Sequence, residues 1–259
     1  MRIYNNFKKY RYLLYELVKK DIKLKYRSSY LGLLWTLLEP ILTTLVLNFI
    51  MGPLLGRGNK YFVIYILTGR LLYSFFSAAT KTAMRSIRRY SGMIKKVYVP
   101  KYIYPLSTIL SNFVIFAMSL VVLIFACLIK QVPITKHMLL VLPSLIILFV
   151  LCLGVGLFFA TFSVYFRDLE YLWDVGLMLI MYCSAIFYYP EQLGDKLKIL
   201  ELNPVYAIIA NCRQAILFGV DQQAFNMNYL AYSAVFSIVT LVAGLFVFVK
   251  NQDKFILYI

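Results

Sequence analysis

A chain of 259 residues that is 62% hydrophobic and only 15% charged falls outside the composition of soluble domains, in which about a quarter of residues are charged. Its formal charge of +16 is carried on a strongly apolar chain, a pattern explained by basic loops at an anionic membrane face and not by a nucleic-acid surface. The expected fold class is an all-α integral membrane protein with membrane lipids, and no nucleic acid, as neighbours.

Residues 1–30 carry Leu13, Leu14, Leu17, Ile22 and Leu24 on an apolar side of limited regularity, with Lys19, Lys23 and Arg27 at i, i+4 spacing on another. This predicts an amphipathic helix in the membrane interface. Periodicity alone does not decide whether it does more than anchor and orient the chain.

Six apolar runs follow, Leu31–Leu55, Tyr61–Thr80, Ile103–Ile129, Met138–Tyr165, Tyr171–Tyr189 and Tyr229–Val249. Each is close to or above the roughly 20 helical residues that a hydrocarbon core requires. They make residues 31–249 a six-helix membrane region within a single domain over residues 1–259, with residues 250–259 as a tail. The basic segment before the first run is too long for a cleavable signal, so the first span is expected to persist. An even number of crossings puts both termini on one side. Lys and Arg number nineteen on that side and seven on the other, Arg57 and Lys196 among the seven, so both termini are expected in the cytoplasm.

Between the second and third runs, residues 81–101 hold seven basic residues and no acidic one, including Arg85, Arg88, Arg89, Lys95 and Lys96. Met84, Ile87 and Tyr90 recur at helical spacing, which predicts a short amphipathic loop helix ending before Val99–Pro100. With no acidic residue in the loop, its counterpart is expected on another protein, although a pure topology signal reads the same way. Beyond the fifth run, Val205–Phe218 is too short to span and is introduced by the Asn203–Pro204 turn signal, which predicts a re-entrant or interfacial helix on the outer side.

Catalytic chemistry is poorly supported. No phosphate loop of the form GxxxxGK[ST] occurs, His137 is the single histidine, and Cys127, Cys152, Cys183 and Cys212 lack CxxC spacing, so no catalytic residue, metal or cofactor is expected in this chain. Ionisable groups at membrane depth are the better clues. Glu39 lies about 12 Å along a helix from Leu31, next to Pro40; Arg70, comparably placed in the second run, is a candidate partner for it, the alternative being that both face interfacial water and only pack. Arg167, Asp168, Glu170 and Asp174 follow the fourth run, either as a salt-bridge network joining inner helix ends or as a solvated turn. The 22 Tyr, 20 Phe and 2 Trp suit interface belts or a conduit on which sugar rings stack, and composition does not separate the two.

The stretch "VKKDIKLKYRSSYLGLLWTLLEP" (Val18–Pro40) resembles the first segment of the transmembrane subunits of type-2 ABC exporters, in particular the polysaccharide and teichoic acid group. "IKKVYVPKYIYPLS" (Ile94–Ser107), "VYFRDLEYLWDVGLMLIMYCSAIFY" (Val164–Tyr188) and "LNPVYAIIANCRQAILFG" (Leu202–Gly219) are similar to later parts of that family, in the same order and over nearly the whole chain. The resemblance implies a homodimer of this chain working with two copies of a separate ABC ATPase, which would bind ATP and Mg. The substrate would be a polyprenyl-pyrophosphate-linked glycan such as O-antigen or teichoic acid, exported across the bacterial cytoplasmic membrane. It further implies that Lys25, Arg27, Tyr30, Trp35, Glu39 and Arg70 guide the substrate head group. A loop helix within Thr82–Lys96 would dock the ATPase through Arg85, Arg88, Arg89, Lys95 and Lys96. The family often has Asn where this chain has Glu39. Export of a drug or lipid remains open in the same superfamily. A membrane-embedded glycosyl or phosphotransferase would need a carboxylate constellation that only Asp168, Glu170 and Asp174 approach, and a secondary transporter would show the internal repeat this chain lacks.

Overall fold

In hydrocarbon every backbone N–H and C=O must find a partner within the protein, so apolar runs of this length have to be helical. The computed structural model describes residues 2–27, 29–56, 59–191, 197–218 and 225–259, and no strand forms among them. Arg57 and Lys196 lie outside the described residues. The helices are α1 (Arg2–Tyr26), α2 (Trp35–Leu55), α3 (Phe62–Arg89), α4 (Ser91–Ile94), α5 (Ile103–Ile129), α6 (Val141–Tyr165), α7 (Leu169–Tyr182), α8 (Leu197–Glu201), α9 (Pro204–Ile216), α10 (Met227–Asn251) and α11 (Phe255–Tyr258).

Two ends of the bundle are defined by packing. At one end Leu14 and Leu17 of α1, Ile87 and Tyr90 at the end of α3, Tyr104 at the start of α5, Val164 at the end of α6, and Phe248 and Phe255 form one buried cluster. The N-terminal helix α1 and the C-terminal residues from Phe248 on therefore sit at the same end. At the other end Phe62, Tyr65 and Ile66 of α3 pack with Tyr189 and with the end of α2.

Among the described residues, five helical stretches are long and apolar enough to cross a membrane: Gly32–Leu55, Phe62–Arg89, Ile103–Ile129, Lys136–Tyr165 and Met227–Tyr258. The sixth run, expected over Tyr171–Tyr189, is not a helix of spanning length. α7 has 14 residues, about 21 Å at 1.5 Å per residue, and the chain then turns through Ala185, whose φ is +47°. The turn keeps residues 183–189 beside α3 by side-chain bonds. Tyr73 OH donates to the Leu177 carbonyl at 2.7 Å, and Tyr65 OH to the carbonyls of Ala185 and Tyr188 at 3.2 and 2.9 Å. Residues 170–189 thus run antiparallel to α3 from one end of the bundle to the other.

The separate loop helix expected within Thr82–Lys96 is also corrected. α3 runs unbroken for 28 residues to Arg89, about 42 Å, and its last turns extend past a hydrocarbon core of about 30 Å. Only the four-residue α4 follows, and the chain stops before Val99–Pro100 as expected.

Two local features position the helices. Pro40 has no N–H, which frees the Thr36 carbonyl one turn earlier, and Ser119 Oγ of α5 donates to that carbonyl at 3.0 Å. In α6, a Cβ on Gly154 would stand 2.5 Å from the Leu241 backbone nitrogen of α10, and a Cβ on Gly244 of α10 would likewise collide with the Gly154 backbone. Small residues at this crossing let the two backbones touch.

Candidate functional site

α3 is the most enclosed of the spans, and its one open stripe is polar. From Phe62 to Ile87 most residues are buried, but Arg70, Ser74, Ser77, Lys81, Arg85 and Arg88 recur every three or four positions and stay at least partly exposed. The stripe covers about 27 Å of helix. Its upper part lines a cavity of about 320 Å³ with Tyr73, closed on the far wall by Met181, Ile186 and Phe187. Sequence reading isolated Arg70 and not the stripe, although the spacing of Ser74, Ser77 and Lys81 was available as the signal.

The lower part of the stripe is matched by α7. Glu170 Oε2 accepts from Arg85 Nε at 2.8 Å, and its other oxygen pairs with Arg88 Nη2. Lys81 Nζ is 2.8 Å from Asp174 Oδ1, though not aligned for a hydrogen bond. Glu170 and Asp174 thus pair with the last turns of α3. Arg167 makes no ion pair among the described residues, and Asp168 serves through its backbone at the start of α7. Of the seven basic residues of 81–101, Lys81, Arg85 and Arg88 find on α7 the acidic partners that their own segment lacks.

Arg89 is likewise taken up, lying 3.2 Å from Asp21 Oδ1 of α1. Tyr90 OH donates to the same oxygen at 2.6 Å, and Lys20 stands over the Tyr90 ring at 5.6 Å. Burial, reinforced by the bond to Asp21, pushes the Tyr90 hydroxyl well above the usual tyrosine range. This contact fastens α1 to the α3–α4 corner. Lys95 and Lys96 remain exposed. Lys96 borders a groove of about 440 Å³ with Lys20, Arg89 and Met93. A second groove of about 580 Å³ runs along α1 between Glu16, Lys19, Lys20, Lys23 and Arg27.

Of the residues expected to guide a head group, Lys25, Glu39 and Arg27 lie toward this end, while Arg70 lies deeper. Burial around its stem lowers the Lys25 ammonium, and the Glu39 carboxylate partly restores it. Glu39 also helps raise Tyr26, after burial. Tyr30 and Trp35 are exposed. Arg70 does not pair with Glu39. Its Nε donates to Thr43 Oγ1 at 2.9 Å, one turn further along α2, while Glu39 points to the open side.

A third constellation shows in the sequence only as the Asn203–Pro204 turn signal. Asn203 caps α9 by accepting from Val205 N at 3.0 Å and donates to the Cys183 carbonyl at 3.1 Å. The helix expected over Val205–Phe218 thus forms as α9, and it carries the buried Arg213. That guanidinium donates to the carbonyls of Tyr65, Ala185 and Ile186 at 3.0, 2.9 and 3.3 Å, and stacks 3.5 Å from the Tyr65 ring centroid. Among the described residues no carboxylate neutralises it.

Among the described residues, an all-helical bundle with five helices of spanning length, a polar stripe on the most enclosed of them and a basic end define a multi-pass membrane protein. Residues 12–217 match the ABC-2 type transporter family, and the chain belongs to that family. It is 25% identical over 245 residues to the "O-antigen export system permease protein RfbA" of Klebsiella pneumoniae, covering 94% of this chain and 93% of that protein. The Myxococcus xanthus protein of the same name is 27% identical over 259 residues, with 98% of each chain covered. The "Polysialic acid transport protein KpsM" of Escherichia coli is 26% identical over 246 residues, covering 90% of this chain and 91% of that one.

Proposed function

We propose that this chain is the permease subunit of an ATP-driven exporter that moves a polyprenyl-pyrophosphate-linked glycan out of the cytoplasm of a bacterium. The observation that carries the reading is the cationic stripe on α3: an otherwise buried membrane helix keeps one polar face, and charge at that depth is costly unless it serves a path. The similarity to O-antigen and polysialic acid permeases supports a glycan as cargo. ATP and Mg would be bound by a separate subunit.

In this reading the end that gathers both termini faces the cytoplasm, in agreement with its excess of Lys and Arg. α7 together with residues 183–189 makes the sixth crossing, α9 is a re-entrant helix near the outer face, and residues 1–259 act as one translocation domain. The ATPase docks against α1 and α4 through Lys95, Lys96 and Lys20, which make no ion pair among the described residues, because Arg85, Arg88 and Arg89 are engaged within the chain. Lys25 and Arg27 meet the head group first. Tyr171, Val175, Met178 and Tyr182 form an exposed stripe on α7 that suits contact with a second copy.

Reconstitution tests this directly. The chain alone should hydrolyse no ATP; with the ATP-binding subunit from the same operon, ATPase activity and glycan export should appear together. Export of glycan in the absence of any ATP-binding subunit would overturn the reading.

A further inference from the structure

We propose that the α3 stripe is a binding site for a diphosphate oxyanion and that Glu170 and Asp174 occupy its seats until that ligand displaces them. The inference rests on the exporter reading and adds where on the path the anion binds and what holds the place empty. Four cations, Arg70, Lys81, Arg85 and Arg88, face only two carboxylates, so the stripe retains excess positive charge after its internal pairing. A purely structural lock in a membrane protein would be expected to neutralise itself.

The pairs are also of the displaceable kind. Arg85 and Glu170 are 51% and 21% exposed, and Lys81 and Asp174 are 35% and 43% exposed. Pairs open to water contribute about 0–1 kcal/mol each. The two guanidinium groups that hold the Glu170 carboxylate, Arg85 on one oxygen and Arg88 on the other, are equally suited to the oxygens of a phosphate. Above the pairs, Ser77 and Ser74 place hydroxyls at each turn, and Arg70, held by Thr43, ends the series without a carboxylate. An anion that displaces Glu170 from Arg85 and Arg88 can pass to Lys81 by displacing Asp174 and then to Arg70, with a donor at every step of about 6 Å.

Trp173, between the two carboxylates on α7, supplies the readout. Its Nε1 donates to Thr80 Oγ1 of α3 at 3.2 Å, so parting of α3 from α7 changes its surroundings. The chain has 2 Trp, and Trp35→Phe leaves Trp173 alone. This full-length variant in lipid nanodiscs is titrated with farnesyl diphosphate, inorganic pyrophosphate and farnesol. The expected result is a saturable emission change with farnesyl diphosphate and none with farnesol. A response to inorganic pyrophosphate at similar concentration assigns binding to the oxyanion alone, and a much weaker one assigns part of it to the lipid tail. Glu170→Gln removes the competitor and should lower the half-saturating concentration about fivefold, the equivalent of about 1 kcal/mol, whereas Arg88→Gln should raise it. Asp174→Asn carries the same sign test if Glu170→Gln does not fold. Absence of a saturable change with either diphosphate, or weakening by the carboxylate variants to match Arg88→Gln, overturns the proposal. If glycan export with the ATPase is intact in that case, the exporter reading stands and only this site is lost.

Discussion

Arg213 donates from Nη1 to the carbonyl oxygen of Ala185 at 2.9 Å, and so fixes α9 to a residue held at φ +47° just beyond α7. The same carbonyl accepts from Tyr65 OH of α3. One arginine therefore ties three segments, and its fork satisfies the buried carbonyls of Ala185 and Ile186 left without helical partners where α7 breaks.

Replacing Arg213 by Lys should destabilise the protein by at least roughly 3 kcal/mol, since a single ammonium cannot serve three carbonyls and bonds to charged groups are worth about 1.5–3 kcal/mol each. Gly69→Ala should mimic it, because an added Cβ would collide with the Arg213 Nη2. Thermal midpoints in detergent, read by fluorescence-detected size exclusion, would check both. A midpoint unchanged in Arg213→Lys would remove the staple role.

How much of this was legible beforehand depends on whether the signal was local. The helical class, the Asn203 cap of α9 and the stop before Pro100 follow from spacing and residue type. The end of α7 was not visible, since Cys183 to Tyr189 is as apolar as a span and Ala185 gives no hint of a positive φ. The Arg85, Arg88 and Glu170 contacts were hidden for another reason: the acidic group reads as a network or a solvated turn, the basic one as a docking loop or a topology signal, and only tertiary packing decides that the two face one another. Arg213 looked like an outer-side cation because partners that are backbone carbonyls leave no mark on a sequence.

The α6–α10 crossing should be intolerant of bulk. Gly154→Val adds atoms where even a Cβ meets the Leu241 backbone nitrogen at 2.5 Å, and neither backbone can yield without shifting a whole helix. The amount of folded protein recovered from membranes should fall several-fold, while Gly92→Ala, with open space around it, should be silent. Equal recovery of Gly154→Val and Gly92→Ala would contradict the close packing.

The contact between Asp21 and Tyr90 should respond to alkali in a stated direction. Burial and then Asp21 raise the folded-state hydroxyl above its unfolded value, so the folded state holds the proton more tightly. The associated stability is fully present below about pH 10, the ordinary tyrosine value, and is lost as pH rises beyond it. Tyr90→Phe should lose the bond at all pH values and flatten the alkaline loss. Asp21→Asn should also free Arg89 and loosen α1, which limited proteolysis after Lys19 or Lys20 would detect. A Tyr90→Phe profile that matches the parent above pH 10 would count against the contact.

Orientation can be read from single-cysteine variants in intact cells. Lys95→Cys and Lys254→Cys lie at the end that gathers both termini and should be protected from an impermeant maleimide, while Lys136→Cys, ahead of α6 at the opposite end, should be labelled. The reverse pattern would invert the topology.

The basic end of α1 yields the sharpest functional prediction. If Lys25 and Arg27 receive a pyrophosphate head group, replacing both by Gln removes two cationic donors for phosphate oxygens, and the carrier-lipid concentration that half-stimulates ATPase activity should rise several-fold in the reconstituted complex. Arg27→Lys should fall between, because the charge survives and the planar fork does not. Arg27 lies in the groove with Lys19, Lys20 and Lys23, so those neighbours should blunt the effect of Arg27→Gln alone and make the double variant more than additive. An anchoring role makes a different forecast: each cation then contributes about 1 kcal/mol of attraction to anionic lipid, and the substitutions lower the yield of membrane-inserted protein without moving the lipid dependence of the ATPase. Activity normalised to assembled complex separates the two, and an unchanged half-stimulating concentration in the double variant assigns α1 to anchoring and leaves head-group capture to the α3 stripe.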